Sequence, residues 1–456
     1  MKLQAAILLI LIGTLSPLGA DPAGAMKVDL ETVLRLALAD NRQIAAAREA
    51  VEEANAQLKQ SRYLWIPDLS VGVSFEHHDG PLQESSGRIR HVSRSSVGAG
   101  AGVNAVAAGT PGTPGLALHT SIADAYYEPL AARQNQQAME ATNQLVRETI
   151  LLDVVEAYFE LVRNSASRAI LQQSVKNAAE LAKLTSDYAS SGEGLESDAE
   201  RAKVAQLIQQ GRLEVASGDV VIASTRLAAL LHLPSDVQLV PAETTPAPIR
   251  FPAEAQPLDQ LVAGALGSRP EVTRGDALSK MAQTRVNQAT KGLLFPHLTL
   301  GASAGGFGGG VGGGVGNLNG RTDLTASVFW RVEGLGLGRK EMIRERRSQL
   351  RQTELQQEAL LDAIVAEVKQ EHAIVQSRKR QLEITSQAVE SARKSFELNR
   401  SRIFERQGLP IEVLQAIQSL SDAHLQYVES VAAHNQAQYR LARAAGVWSR
   451  GKALDE

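Results

Sequence analysis

The chain has 456 residues, a formal net charge of -3 with 47 Lys and Arg against 50 Asp and Glu, and no cysteine. The balanced charge argues against a nucleic-acid partner, and the lack of thiols excludes disulfides, thiolate metal sites, a cysteine nucleophile and a lipid anchor on Cys. Aromatic residues make up 4%, low for one globular core and suited to long helices packed through Ala, Leu and Val; the length alone suggests two or three domains.

Residues 1–25 have the layout of a secretory signal peptide: Lys2, an apolar run from Ala5 to Ile12, and small residues ending in Ala23-Gly24-Ala25. Cleavage is expected after Ala25, with Ala20 as a second candidate, and a buried N-terminal helix is the alternative. No later stretch supplies about 20 consecutive apolar residues, so any membrane insertion must use β-strands.

A helical pattern runs from Leu30 to about Tyr63 and stops at Pro67, which lacks an amide donor and biases Ile66 away from helix. Leu69, Val71, Val73 and Phe75 then alternate with polar residues, as in a strand with one apolar face. Residues 77–113 read as a long polar and Gly/Ala-rich loop, with room to extend the strands at its edges. A second strand is expected over Leu116–Ile122, and a helix over Leu130–Ser190. The turn Gly192-Glu193-Gly194 leads into a returning helix from Leu195 to about Leu231. Six prolines between Pro234 and Pro257 mark a linker or a small irregular subdomain.

The pattern then repeats. Leu258 and Ala265-Leu266 match Leu30 and Ala37-Leu38 at one constant offset, and Phe295-Pro296-His297-Leu298 echoes the junction at Pro67 with a single-residue slip. Strands are expected at Leu298–Ser303 and, most clearly, at Asp323–Val332. A helix without Gly or Pro follows from Arg339 to Gln407, roughly 100 Å long at 1.5 Å per residue, and Pro410–Ala445 is its returning partner. In that long helix Leu361, Val368, Val375, Leu382, Val389 and Phe396 stand at seven-residue intervals, one seam facing a neighbour. The companion row turns polar at His372, Lys379, Ser386 and Arg393, where Lys379 and Arg393 are expected to face water. The chain divides into a signal peptide (1–25), a first repeat (26–233), a Pro-rich equatorial linker (234–257), a second repeat (258–446) and a tail (447–456).

Four strands with an apolar outer face cannot close a transmembrane barrel, which needs about eight. Unpaired edges are costly in lipid, so three chains giving about 12 strands are expected. Trp65 and Trp330 are placed like interfacial aromatics. A soluble sheet covered on one side is the alternative for these strands. The expected fold is mainly α with a small transmembrane β part: a long coiled-coil helical barrel continuous with a 12-stranded trimeric β-barrel.

These features together resemble the TolC-like outer-membrane efflux proteins, the outer-membrane channels of tripartite export systems, from about Leu30 to Gly446. The resemblance rests on the duplication, the junctions at Pro67 and Pro296, and Leu335-Gly336-Leu337-Gly338-Arg339 opening the long helix. The turns carry it too: Gly192 with Asp198-Ala199-Glu200-Arg201-Ala202, and Ile411-Glu412-Val413-Leu414-Gln415-Ala416. It implies a homotrimer in the cell outer membrane with a large periplasmic part, partnered by a periplasmic adaptor protein and an inner-membrane transporter. It also implies an entrance narrowed by acidic side chains, for which Glu412 is the candidate; a first-turn acid that suits the helix dipole is the other reading. Gln415 stands where the family often carries a second acid, and Arg406 where a Gly is common, with Gly408 nearby. Gly192, Glu193, Gly194, Leu195, Gly408 and Leu409 form the tips where an adaptor would dock.

No nucleophile, base and orienting acid share a plausible spacing, so no enzyme activity and no cofactor are expected. Gly305–Gly316 lacks the Lys-Ser/Thr of a phosphate loop and reads as a flexible or close-packed loop at the barrel rim. His77, His78 and His91 lie in a polar stretch without further ligands, so no metal site is expected; His372 and His424 fall on helix faces as packing or lumen residues. The competing function is a non-channel periplasmic coiled-coil scaffold.

Overall fold

The computed structural model describes residues 25–39, 41–102, 116–234, 236–243, 245–311, 314, 316–332, 336–405 and 407–448. The expected signal peptide up to residue 24, Leu335, Arg406 and the tail from residue 449 lie outside the described residues.

The elements follow in the order β1 (Ala25–Val28), α1 (Leu30–Ala39), α2 (Arg42–Arg62), β2 (Asp68–Gln83), β3 (Ile89–Gly102), β4 (Leu116–Ser121), α3 (Ile122–Ser190) and α4 (Glu196–Leu230). After β5 (Gln238–Pro241) come α5 (Leu258–Ser268), α6 (Pro270–Lys291), β6 (His297–Val311), β7 (Asn319–Phe329), α7 (Leu337–Phe404) and α8 (Pro410–Ala444). The first expected helix is two, because Asn41 caps a fresh start: its Oδ1 accepts the amides of Gln43 (2.9 Å) and Ile44 (3.2 Å). The helix expected from Leu130 instead begins at Ile122 and carries Pro129 inside it; proline removes one amide donor there without ending the helix.

The chain forms two compact units. One comprises Met1–Ala45, Val146–Leu266 and Ile364–Glu456. Its core gathers Val33, Val154, Tyr158, Leu161, Leu227 and Leu239, all at most 1% exposed, beside the short parallel pair β1 and β5. Along α7 the seven-residue seam is inward: Val368 and Val375 are buried, while Leu382, Val389 and Phe396 are half-buried. The polar row splits. Arg393 is exposed as expected, but Lys379 reaches across to Glu254 at 2.7 Å.

The other unit, Ala46–Leu145 and Gly267–Ala363, holds the antiparallel sheet. β2 pairs with β3 over Ser70–Gln83 and with β4 at Asp68 and Leu69. β6 likewise pairs with β4 through His297–Ala302 and with β3 through Ala304–Val311. β3 and β4 are therefore successive pieces of one strand position, and the sheet has four positions: β2, then β3 with β4, then β6, then β7.

This corrects two expectations. Residues 77–102 are not a loop but a continuation of β2, a tight turn and β3; Gly305–Val311 are strand as well, paired to β3 throughout and to β7 as far as Phe307. Close backbone packing explains the glycines there, since a Cβ at Gly309 would run into the Ser95 carbonyl. Pro67 and Pro296 hold equivalent corners. Ile66 (φ -95°, ψ 132°) and Phe295 (φ -96°, ψ 129°) adopt one extended conformation before them, each closing a short helical turn.

Candidate gate and docking tips

Each long helix ends in a turn of the same design. After α3, the amides of Glu193 and Gly194 both donate to the Tyr188 carbonyl, each at 2.9 Å. After α7, the amides of Gln407 and Gly408 both donate to the Arg402 carbonyl, at 2.8 and 3.1 Å. Leu195 and Leu409 then take extended conformations and start the returning helices. Gly194 and Gly408 are thus the equivalent pair. A Cβ at Gly194 would stand 2.9 Å from Tyr188 Cβ, and one at Gly408 would stand 3.1 Å from the Ile403 amide nitrogen. Gly192 serves differently: its φ of +78° lies in the left-handed region, with open space around it. The same pairing is legible in the sequence, where Gly194 and Gly408 each precede the leucine that opens a returning helix.

Glu412 sits in the first turn of α8 behind Pro410. Its Oε2 accepts the Leu409 amide at 3.3 Å, while the Leu409 carbonyl accepts the Glu412 amide at 3.0 Å. The same oxygen lies 3.6 Å from Arg402 Nη1, and Arg402 Nη2 donates to the Gln407 carbonyl at 3.3 Å. Glu412 therefore caps its helix and braces the turn through Arg402, a residue the sequence did not single out. Gln415, one turn later, is exposed. The equivalent acid of the first copy, Asp198, pairs forward with Arg201 at 2.9 Å.

Leu181, Ala202, Ile403, Val413 and Ile417 form a small core that joins the two copies behind the tips, and Arg400 pairs with Glu180 at 3.0 Å beside it. At the tips Leu195, Leu409 and Phe404 remain more than half exposed.

A polar clasp fixes the Pro-rich segment to α8. Asn435 accepts from the Ile249 amide and donates to the Ala247 carbonyl, both at 2.9 Å. Gln438 and Lys379 each donate to Glu254 at 2.7 Å. Burial pushes the Glu254 carboxyl up, but those two hydrogen bonds and the Lys379 charge outweigh it and hold the group below the ordinary carboxylate value. His434 donates from Nε2 to the Ile249 carbonyl at 3.1 Å, and burial pushes its pKa down. No local sequence signal marks these contacts, because the partners stand 125 to 188 residues apart. Of the histidines in the strands, His77 bonds Ser95 (2.8 Å) and His91 bonds Asp79 (3.1 Å).

The pattern that defines the outer membrane efflux proteins matches residues 33–232 and 261–447. The chain belongs to the outer membrane efflux protein family. Each matched stretch falls on one of the repeats read from the sequence, and the clasped Pro-rich segment lies between the two stretches. The fold is similar to that of the outer-membrane channel OprN, with 18% identity and a TM-score of 0.74 over 91% of this chain and 89% of that one. It is similar also to VceC of the bacterial pathogen Vibrio cholerae (16%, 0.72, 91% and 96%) and to the open state of the Neisseria gonorrhoeae MtrE outer membrane channel (18%, 0.69, 91% and 88%). At these identities the likeness shows the fold alone. No curated protein matches the sequence. As an outer membrane efflux protein the chain is a transport channel of the outer membrane and not an enzyme.

Proposed function

We propose that three copies of this outer membrane efflux protein close into one channel, the exit duct of a tripartite efflux or secretion system. A periplasmic adaptor docks on the tips at Gly192–Leu195 and Gly408–Leu409, and an inner-membrane pump drives transport. The sheet carries this reading. Leu69, Val71, Val73 and Phe75 on β2 are 65–78% exposed, and Leu324 on β7 is 82% exposed. Among the described residues nothing pairs with the outer edges of β2 or β7. An exposed apolar face with two open edges is stable in lipid only if further copies close it.

A second surface supports the copy number argument. On α4, Ile208, Val215 and Ile222 stand seven residues apart and are all exposed, a seam awaiting a helix of another copy. Resting closure at the tip turns gives way when an adaptor favours the splayed state. Three Glu412 carboxylates around the axis form the acidic entrance and favour cations. The test is reversal potential in planar bilayers across a KCl gradient: Glu412→Gln lowers the cation preference. Unchanged selectivity removes Glu412 from the entrance and leaves it as a cap.

A further inference from the structure

A cavity of about 570 Å³ lies where β4 runs into α3 and where α7 begins. Its wall includes Ser121 at the end of β4 and Asp124 in the first turn of α3, with Arg285, Arg331, Arg339 and Arg346. The first of these arginines is spoken for: Arg285 donates to Glu128 and, at 2.9 Å, to Gln288. Gln288 in turn donates to Glu128 (3.1 Å) and Asp124 (2.9 Å). Burial pushes the Glu128 carboxyl up, yet the bonds from Arg285 and Gln288, with the charges of Arg285 and Arg346, hold it below the ordinary value.

Among the described lining residues, four arginines stand against two carboxylates, Asp124 and Glu128. Arg339 Nη2 is shut off from solvent and has no acceptor among the described residues. Arg346 donates to a neutral amide, Gln349, at 2.9 Å, and Arg331 lies 5.9 Å from the Phe329 ring centre. A hidden, charged guanidinium donor without an acceptor is costly, and an oxyanion is the ligand that removes the cost. Two helix starts face the same space. Ser121 Oγ caps α3 through the Asp124 amide at 3.3 Å, and Gly336 and Gly338 bring the first turn of α7 to the wall; both helix ends favour a negative charge.

The strands fix the side on which this cavity lies. His297 stacks on Phe329 at 5.3 Å, its cross-strand partner, and both share the face of Asp323, Thr325 and Ser327. That face is opposite to the exposed apolar residues Leu324 and Val328.

We propose that this cavity binds the anionic group, phosphate or carboxylate, of solutes moving along the polar face of the sheet. The assignment rests on the reading that this face lines the duct. The probe is inorganic phosphate, titrated by calorimetry at low ionic strength into the full chain in detergent. Saturable binding is expected, weakened about tenfold by Arg331→Gln or by Arg346→Gln and unchanged by Arg351→Gln, an exposed α7 residue outside the cavity. Helical circular dichroism melts verify that each variant is folded.

Absence of saturable binding, or equal loss with Arg351→Gln, overturns the site. Phospholipid that co-purifies with the wild type, disappears in Arg331→Gln and leaves no phosphate uptake would assign the cavity to a lipid headgroup and overturn the solute. Because binding is read without current, failure of the duct reading is distinguishable: conductance would be absent while phosphate binding kept its dependence on Arg331.

Discussion

Replacing Gly194 by Ala places a methyl group 2.9 Å from Tyr188 Cβ and 3.2 Å from the Tyr188 carbonyl carbon. Both atoms are anchored to backbone, so the turn must open. Opening sacrifices the two amides that share the Tyr188 carbonyl, each worth about 1 kcal/mol net, for a local loss of roughly 2 kcal/mol. Such a loss raises the open population of the turn about 30-fold without unfolding the helices behind it. When reclosing is fast, cleavage tracks that population, so a glutamate-specific protease acting at Glu193 or Glu196 should cut about 30 times faster. Gly192 supplies the control. Its constraint is φ +78° in open space, so Gly192→Ala costs about 1–2 kcal/mol, whereas Gly192→Asn restores most of the loss because Asn tolerates the left-handed region. Asn at position 194 restores nothing, since the obstacle there is contact. Equal rescue at both positions, or unchanged cleavage in Gly194→Ala, would refute the reasoning.

Two other perturbations follow from burial and from the sheet's faces. Among the described residues the buried Glu371 Oε2 has no hydrogen-bond partner, and burial, then the neighbouring Glu367 and Glu156, raise its pKa above 4.5 although Arg440 opposes them. A raised acid stabilises the fold below its unfolded pKa and loses that contribution as pH rises through the folded value, so Glu371→Gln should gain up to about 1 kcal/mol at neutral pH. Thermal melts from pH 4 to 8 check it; a lower melting temperature at neutral pH contradicts it. Val73→Arg puts a charge on the lipid side at about 2–4 kcal/mol per chain if near the midplane and should deplete the protein from the outer-membrane fraction. Thr325→Arg on the polar face should leave it there, and equal depletion would mean the faces are wrongly assigned.

The duplication, the α7 seam and the junctions at Pro67 and Pro296 were legible because each writes a local period or a stop into the chain. The full length of the strands was not. Beyond Phe75 the positions that continue the apolar face are His77 and Asp79, paired with Ser95 and Ser93, so alternation disappears although pairing goes on. The glycines of β6 are silent for the same reason: a strand without side chains has no pattern. At the tips the sequence located the turns and Glu412 but not Arg402, whose part depends on the Gln407 carbonyl and the Glu412 carboxylate meeting in space. The clasp of Glu254, Lys379 and Gln438 joins distant stretches through single polar contacts, which no periodicity announces.

Closure of three chains is the central claim. Light scattering on the detergent-solubilised protein, combined with single-channel recording in planar bilayers, tests it most directly. A protein mass of three chains together with discrete conductance steps is the predicted result; a stable single-chain mass with no conductance would contradict it.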